Sequence, residues 1–276
     1  MIPAAFDYER AESADHALEL LAQHGEDAKL LAGGHSLLPM MKVRLAEPTV
    51  LIDIGKVGEL AGVRDGGDHV AIGAGTKHEA VHFDDLIAQH CPLLGHAAGE
   101  VGDPQVRHMG TIGGSVSHGD PASDLPSVLV ALGASFVIRG PQGERTVAAD
   151  DFFKSLFETD LGPGDLLTEI RVPKLGGRGW SYLKFNPRAQ DWAVVGVAVV
   201  GGNGNGTRVA LTNMGERPLR AAGVEQALAS GASARDAAAH ADEGTNPVSD
   251  PLGSADYRRA LSKVLVRRAL EEAASR

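Results

Sequence analysis

Cysteine is almost absent from this sequence, since Cys91 is the only one in 276 residues. A single thiol cannot form a disulfide within the chain, and it cannot supply the several thiolates of an iron–sulfur cluster or a structural zinc site. The sequence therefore excludes a disulfide framework and any such metal centre built from this chain alone. We expect a reducing compartment and interpret Cys91 as a small buried hydrophobic residue.

Basic residues are also scarce, with 26 Lys and Arg against 36 Asp and Glu and a net charge of −10. Nucleic-acid binding requires clustered Lys and Arg, which are not found here, so we expect no nucleic-acid partner. No stretch approaches the roughly 20 apolar residues of a membrane span, and residues 1–8 lack the pattern of a signal peptide. We therefore expect a soluble cytoplasmic protein.

Two familiar nucleotide-binding patterns are missing, namely G-x-G-x-x-G and the P-loop pattern that ends in Gly-Lys-Ser/Thr. Their absence argues against a Rossmann NAD domain and a P-loop NTPase. Glycine, in contrast, is abundant: the chain has 35, where average usage would give about 19. Glycine permits positive φ and close approach of the backbone to a ligand.

Two glycine-rich segments are candidate phosphate sites, Ala32-Gly33-Gly34-His35-Ser36 and Thr111-Ile112-Gly113-Gly114-Ser115. Successive glycines let backbone N–H groups turn inward to form a nest for an anion, and Ser or Thr hydroxyls add donors. Taken alone, the first segment is better explained as an ordinary tight turn. Two nests from separate parts of the chain would hold the two ends of a dinucleotide linker.

Hydrophobic patterning predicts a first α/β unit over residues 1 to about 55. Ser13 is expected to cap a helix that ends at Gly25, and strands are expected at 29–32 and 49–54. A second unit spans about 56–175, with strands at 70–74, 134–139 and 166–172. Its helix signals are the capping box from Thr76 to Glu79, the first-turn proline Pro92, the pair Asp120-Pro121, and Gly133 as a terminator.

Residues 173–179 contain one proline and three glycines and are predicted to be the domain boundary. Beyond them, strands at 180–185, 192–200 and 208–213 are expected to be antiparallel, with the glycine-rich residues 201–206 as a hairpin connection. A helix over 257–274 ends the chain. This pattern predicts an α+β protein.

Three motifs in a fixed order carry a resemblance to a known family. They are Leu31-Ala32-Gly33-Gly34-His35-Ser36-Leu37-Leu38-Pro39-Met40-Met41-Lys42, Gly110-Thr111-Ile112-Gly113-Gly114-Ser115, and Gly119-Asp120-Pro121-Ala122-Ser123-Asp124-Leu125-Pro126. The set resembles the FAD-binding medium subunits of molybdenum hydroxylases, the xanthine dehydrogenase family, and most of all their aerobic carbon monoxide dehydrogenase branch. The resemblance implies a two-subdomain FAD-binding domain of the vanillyl-alcohol oxidase/MurB (PCMH) type over residues 1–175. It further implies a C-terminal domain over 177–276, with a three-stranded antiparallel sheet and helices.

The resemblance also implies non-covalent FAD as the cofactor, and no catalytic side chain or metal ligand on this chain. Carried over by position, the FAD-contacting residues are Leu31, Ala32, Gly33, Gly34, His35, Ser36, Leu37, Gly110, Thr111, Ile112, Gly113, Gly114, Ser115, Asp124, Leu167, Lys184 and Trp192. The chain departs from the family at Ser115, often Asn or Asp in relatives, and at Trp192, where carbon monoxide dehydrogenase medium chains tend to have Tyr. Trp192 is interpreted either as a ring that stacks on the flavin or as the start of a core strand.

The resemblance implies that the chain takes electrons from [2Fe–2S] clusters of a small subunit, which receives them from a large molybdopterin subunit. An external acceptor such as quinone or oxygen would then be reduced. The complex is expected to be a dimer of heterotrimers in the cytoplasm or at the inner face of the membrane. Two alternatives stay open: a self-contained FAD oxidase of the vanillyl-alcohol oxidase/MurB type, and a non-catalytic FAD-binding scaffold.

One further motif suggests different chemistry. His78-Glu79-Ala80-Val81-His82 matches H-E-x-x-H, in which two histidines one helical turn apart bind zinc. Glu79 also fits the capping box, which explains it without a metal, so we disfavour a zinc site. His35 is interpreted either as a phosphate contact or as a residue with one local hydrogen bond.

Overall fold

The structure, a computed structural model, describes residues 2–201 and 206–276. The strands, numbered along the chain, are β1 (Asp7–Arg10), β2 (Ala28–Leu31), β3 (Val50–Asp53), β4 (Val63–Asp65), β5 (His69–Gly73), β6 (Ser135–Gly140), β7 (Gly143–Ala148), β8 (Phe153–Ser155), β9 (Glu158–Thr159), β10 (Leu166–Pro173), β11 (Trp180–Phe185), β12 (Val195–Val200), β13 (Arg208–Thr212) and β14 (Leu219–Arg220). The helices are α1 (Ala14–His24), α2 (Leu37–Lys42), α3 (His78–Phe83), α4 (Asp85–His90), α5 (Pro92–Gly99), α6 (Pro104–Met109), α7 (Ile112–His118), α8 (Asp124–Leu132), α9 (Ala149–Phe152), α10 (Ala222–Ala229), α11 (Ala234–Ala238) and α12 (Ala255–Ser275). Among these helices, none combines the length and apolar character needed to cross a bilayer.

The first unit is a three-stranded parallel sheet in the order β1-β3-β2. Helix α1 connects β1 to β2 along the chain. The predicted caps of α1 are confirmed, because the Ser13 side chain accepts a hydrogen bond from the His16 amide and Gly25 follows the helix with φ 59°. Leu31 is the last residue of β2 and pairs with Asp53. The first glycine segment therefore leaves the sheet at the carboxyl ends of its strands, a common place for a ligand in α/β proteins.

The second unit is a five-stranded sheet in the order β4-β5-β10-β6-β7, with antiparallel neighbours throughout. Fully buried side chains of its central strands share one hydrophobic core with α5 and α8, including Ile72, Phe136, Ile170, Leu94 and Leu129. All nine residues of α8 are buried, so this helix lies in the middle of the molecule. Gly133 ends α8 in the left-handed conformation, as predicted.

The C-terminal unit is a four-stranded antiparallel sheet in the order β11-β12-β13-β14. The first three strands were predicted, whereas β14, Leu219–Arg220, has only two residues and no sequence pattern of its own. The predicted hairpin over 201–206 falls on residues 202–205, which lie outside the described residues.

Strand β12 is buried on both faces and joins two cores. Val195, Val197 and Val199 pack with α12 in the C-terminal core, while Ala198 and Val200 belong to the core of the second unit. This division follows from the alternation of side chains along a strand. The C-terminal sheet is thus packed between α12 and the rest of the molecule.

Two predicted helix starts are wrong. Thr76 does not cap α3; its hydroxyl instead bonds to the amide and carbonyl of Gly62 at 2.9 and 3.2 Å. Helix α3 ends before Asp84, which caps α4. Asp120 accepts a hydrogen bond from the Ala122 amide in a local turn at 2.8 Å. Helix α8 therefore begins only at Asp124.

Candidate functional site

The two glycine segments meet at their backbones. A Cβ atom placed on Gly33 would lie 2.5 Å from the Met109 carbonyl oxygen and 2.7 Å from the Gly110 Cα. Both distances are too short for any side chain, so Gly33 is required by close approach. We call the contact of residues 33, 109 and 110 the loop junction.

The first segment offers free hydrogen-bond donors. Within the described residues, no protein acceptor pairs with the backbone N–H groups of 33–36. Gly34 has φ +74°, and its carbonyl accepts a hydrogen bond from Leu38 at the start of α2. Successive unpaired amides around a glycine in this conformation are suited to an anionic group.

The second segment differs from the predicted nest because it forms the first turn of α7. The hydroxyl of Thr111 accepts from the Gly114 amide at 3.0 Å. The Ile112 amide donates to Thr76 O at 3.0 Å, and the Gly113 amide donates to Ala74 O at 2.8 Å. The prediction of a second open nest is therefore wrong, since these N–H groups already have protein acceptors. Exposed Gly114 instead leaves bare backbone at the surface.

Two positive or polar side chains flank the loop junction and were not predicted as part of the site. Lys77 donates from Nζ to the Met109 carbonyl at 2.9 Å, and desolvation by partial burial lowers the pKa of this lysine. His78, beside it, is buried against Gly110. The H-E-x-x-H match drew attention to His78 for a different chemistry, but no signal in the sequence places it under Gly110.

The other members of that motif have ordinary partners. Glu79 accepts from Nε of Arg107 at 2.9 Å, and Nδ1 of His82 is 2.8 Å from the carbonyl oxygen of Gly95. Glu79 therefore does not close a capping box with Thr76, and both residues are explained by contacts within the fold.

Asp124 and Lys184 form a buried ion pair, with Oδ2 to Nζ at 3.0 Å. Asp124 also accepts from the Tyr182 hydroxyl at 2.5 Å, and Lys184 donates to the Glu100 carbonyl at 3.1 Å. Burial raises the pKa of Asp124 despite the opposing effects of Lys184 and Tyr182. The pair joins α8 to β11, which explains both residues as a link between the two domains.

The remaining predicted residues lie in contrasting surroundings. Leu167 is 5% exposed and packs in the hydrophobic core, next to an irregularity in the pairing of β10 with β6. Trp192 is 53% exposed, and β12 begins three residues later. The interpretation of Trp192 as the start of a core strand is therefore wrong, and its ring is available to a ligand or partner.

The loop junction fits the diphosphate of a dinucleotide. The unpaired amides of 33–36 and the ammonium of Lys77 lie beside it, and both kinds of donor suit phosphate oxygens. Two cavities of about 410 and 260 Å³ lie elsewhere and contain none of the predicted site residues. The candidate site is therefore chosen on the chemistry of its donors and not on cavity volume.

Comparison with known proteins gives a consistent result over the whole chain. Residues 4–175 match the family described as "FAD binding domain in molybdopterin dehydrogenase", and residues 180–273 match "CO dehydrogenase flavoprotein C-terminal domain". The chain is 43% identical to the carbon monoxide dehydrogenase medium chain of Hydrogenophaga pseudoflava, covering 100% of this chain and 99% of the relative. It is 39% identical to the glyceraldehyde dehydrogenase medium chain of Sulfolobus acidocaldarius, covering 99% of this chain and 100% of the relative.

A solved structure agrees with these relationships. Carbon monoxide dehydrogenase from Hydrogenophaga pseudoflava, in a form lacking the Mo-pyranopterin moiety of its cofactor, superposes with a TM-score of 0.97 at 44% identity. The match covers 100% of this chain and 99% of that chain. The predicted fold class, FAD as cofactor and an oxidoreductase role are confirmed. The chain belongs to the family of FAD-binding subunits of molybdopterin-dependent dehydrogenases.

Proposed function

We propose that this chain is the FAD-binding electron-transfer subunit of a carbon monoxide-oxidising molybdenum hydroxylase. The observation that carries the proposal is the full-length relationship to a carbon monoxide dehydrogenase medium chain. A glyceraldehyde dehydrogenase medium chain is nearly as similar. Similarity of this chain therefore does not select the substrate, which in such a complex would be chosen on another subunit. Carbon monoxide is therefore a proposal about the assembled complex.

We propose that residues 31–37 and 110–115 hold the diphosphate and ribityl portions of FAD. In this arrangement, the unpaired amides of 33–36 bind phosphate oxygens, and the exposed backbone at Gly114 lies against the cofactor. We place Asp124, Leu167, Lys184 and Trp192 as the further contacts. The Asp124–Lys184 pair would reach the cofactor from the seam between domains, and we set the domain boundary between residues 175 and 177.

Bound FAD supplies the redox chemistry, accepting electrons from a partner and passing them to an acceptor. The chain's own contribution is to bind and orient the flavin, and no side chain is needed as a general acid or base. The partners we propose are a small [2Fe–2S] subunit and a large molybdopterin subunit in a dimer of heterotrimers. Quinone or oxygen is the proposed final acceptor.

Co-expression with the genes beside this one tests the proposal. A tagged chain should co-purify with an iron–sulfur subunit and a molybdenum subunit, and anaerobic carbon monoxide should bleach the flavin absorbance of the complex. The chain expressed alone should be yellow and should not respond to carbon monoxide. Bleaching by glyceraldehyde but not by carbon monoxide would overturn the proposed substrate and leave the subunit role intact.

Direct bleaching of the isolated chain by small alcohols or aldehydes would support the self-contained oxidase instead. A complex that contains neither iron–sulfur nor molybdenum centres would contradict the subunit role.

A further inference from the structure

His78 is a buried side chain without a hydrogen bond. It is 5% exposed, and its Nδ1 atom is buried with no partner. In the described part of the chain, Nε of Arg208 and Nε of Arg258 share this property, but both guanidinium groups bind a carboxylate through another nitrogen. The unpaired Nδ1 atom bears on which ring nitrogen carries the proton, because a buried N–H group without an acceptor is costly.

The other ring nitrogen, Nε2, lies beside Gly110. A Cβ atom on Gly110 would lie 2.8 Å from Cδ2 and 3.0 Å from Nε2 of the imidazole, so the ring occupies the space that a side chain at 110 would take. The backbone amide of His78 also donates to the Gly110 carbonyl at 3.0 Å. Because Gly110 in turn lies against Gly33, the imidazole lies at the loop junction.

The charge state of the ring follows from its surroundings. Desolvation by burial, with smaller contributions from His35, Lys77 and Arg107, lowers the pKa of His78 to about 4. The imidazole is therefore neutral at neutral pH, with one N–H donor and one acceptor nitrogen. A proton on Nδ1 would be buried without an acceptor, whereas a proton on Nε2 points the donor at the loop junction. The second tautomer is favoured because an unpaired buried N–H group is costly.

We propose that His78 is a further cofactor-binding residue, whose Nε2–H group donates a hydrogen bond to the anionic diphosphate of FAD at the loop junction. The inference rests on the proposed placement of FAD. It assigns a purpose to the missing side chain at Gly110, which makes room for the ring, and to the position of Lys77 beside it.

Binding titrations on the full chain, stripped of flavin, test this role. His78→Met keeps a side chain of similar length without a donor, and His78→Gln keeps an amide N–H donor. Loss of a hydrogen bond to a charged group should raise the Kd for FAD by about 10-fold to 100-fold in the Met variant. The Gln variant should stay within about threefold of the original chain. The control His82→Gln changes the other histidine of α3, whose ring bonds to Gly95, and should leave the Kd unchanged.

ADP is a second probe because it carries the diphosphate without the flavin ring. His78→Met should weaken ADP binding by a similar factor. Equal FAD affinity in the Met variant and the original chain, or a loss for FAD without a loss for ADP, would overturn the assignment of His78 to the diphosphate. Failure of the Gln variant to recover affinity would show a packing role only. If the original chain binds no FAD, the placement of the cofactor itself fails with the inference.

Discussion

At the scale of single residues, the glycines of the two segments are required for different physical reasons. Gly33 and Gly113 have no room for a Cβ, since each would place that atom 2.5 Å from a backbone carbonyl oxygen, of Met109 and Ala74 respectively. Gly34 has some room but requires φ +74°. Gly114 is exposed, and a Cβ there would meet only the Thr111 hydroxyl at 2.7 Å.

We expect Gly33→Ala to separate the loop junction, and thus to lower both the FAD content and the thermal midpoint of the chain. Gly113→Ala should lower the midpoint in the same way, by forcing α7 away from Ala74. Gly114→Ala should have a smaller effect on the midpoint, because the Thr111 side chain it meets can rotate away with the loss of one capping hydrogen bond. The ratio of flavin to protein absorbance and thermal unfolding measure these effects.

Gly58→Ala is the control, since a Cβ at that position has nothing within 4 Å. A Gly33→Ala chain with normal flavin content and stability would contradict the close contact of the two segments.

The buried imidazole of His78 predicts a dependence of stability on pH. Its pKa falls from 6.5 to about 4 on folding, so between these values the unfolded chain binds a proton that the folded chain does not. Its contribution to stability is therefore fully present above pH 6.5 and is lost as the pH falls towards 4. The loss amounts to at most about 3 kcal/mol.

The test compares urea unfolding of the flavin-free chain and of His78→Gln between pH 7 and pH 4.5. Other groups change both profiles alike, and only the difference reports His78. The free energy of unfolding should fall more steeply with acid in the original chain; parallel profiles would show that the imidazole is not held neutral.

At the scale of helices and strands, the predictable features are those encoded by neighbouring residues. The aromatic-rich segment 180–185 gives β11 with the same bounds, Trp180–Phe185, and glycines end α1 and α8 where expected. Predictions fail where a residue distant in sequence takes the hydrogen bond that was expected to form locally. The Thr76 hydroxyl bonds to Gly62 instead of capping α3, because the β4–β5 region brings that glycine close.

The same distinction applies to the site. The two glycine segments are recognisable from their residues, and their family resemblance implies one ligand. Their residues do not reveal that the amides of Ile112 and Gly113 are taken by Thr76 and Ala74, since those acceptors depend on how the chain turns after β5. The role of Asp124 in an ion pair with Lys184 is equally a product of domain packing.

A buried guanidinium adds to the hydrophobic packing that docks α12. The side chain of Arg258 is 1% exposed and bonds to Asp250 at 2.6 Å and to the Val194 carbonyl at 2.5 Å. Asp250→Ala should leave this charge buried without a carboxylate and reduce the free energy of unfolding by about 3 kcal/mol.

Asp256→Ala is the matched control, because Asp256 is the ion-pair partner of another arginine of α12. It removes the partner of Arg259, but the Asp256 side chain is 95% exposed, so the expected loss is below about 0.5 kcal/mol. Urea denaturation of the two variants should separate them clearly. Equal losses would show that the Arg258 pair does not hold the helix.

At the scale of the whole molecule, the two domains share a core through β12 and a buried ion pair through Asp124 and Lys184. We expect calorimetry to show one cooperative unfolding transition rather than two. Lys184→Met should leave the Asp124 carboxylate buried without a cation and cost about 3 kcal/mol. Adding Asp124→Asn to that variant should recover part of the loss, because it removes the uncompensated charge.

A double variant as unstable as the sum of both single variants would show that the two side chains act independently. Two separate transitions in the original chain would contradict the shared core. Both measurements use the flavin-free chain, so that loss of the cofactor does not contribute to the change in stability.

The contrast between the two glycine segments has a consequence for the hydrogen exchange of their amides before and after FAD is added. The amides of 112–114 already have acceptors within the fold, so their deuterium exchange should be slow even before the cofactor arrives. The amides of 33–36 lack such acceptors and should exchange fast until FAD is added. If FAD binds as we propose, folding alone completes the hydrogen bonding of residues 112–114, and the cofactor completes that of residues 33–36.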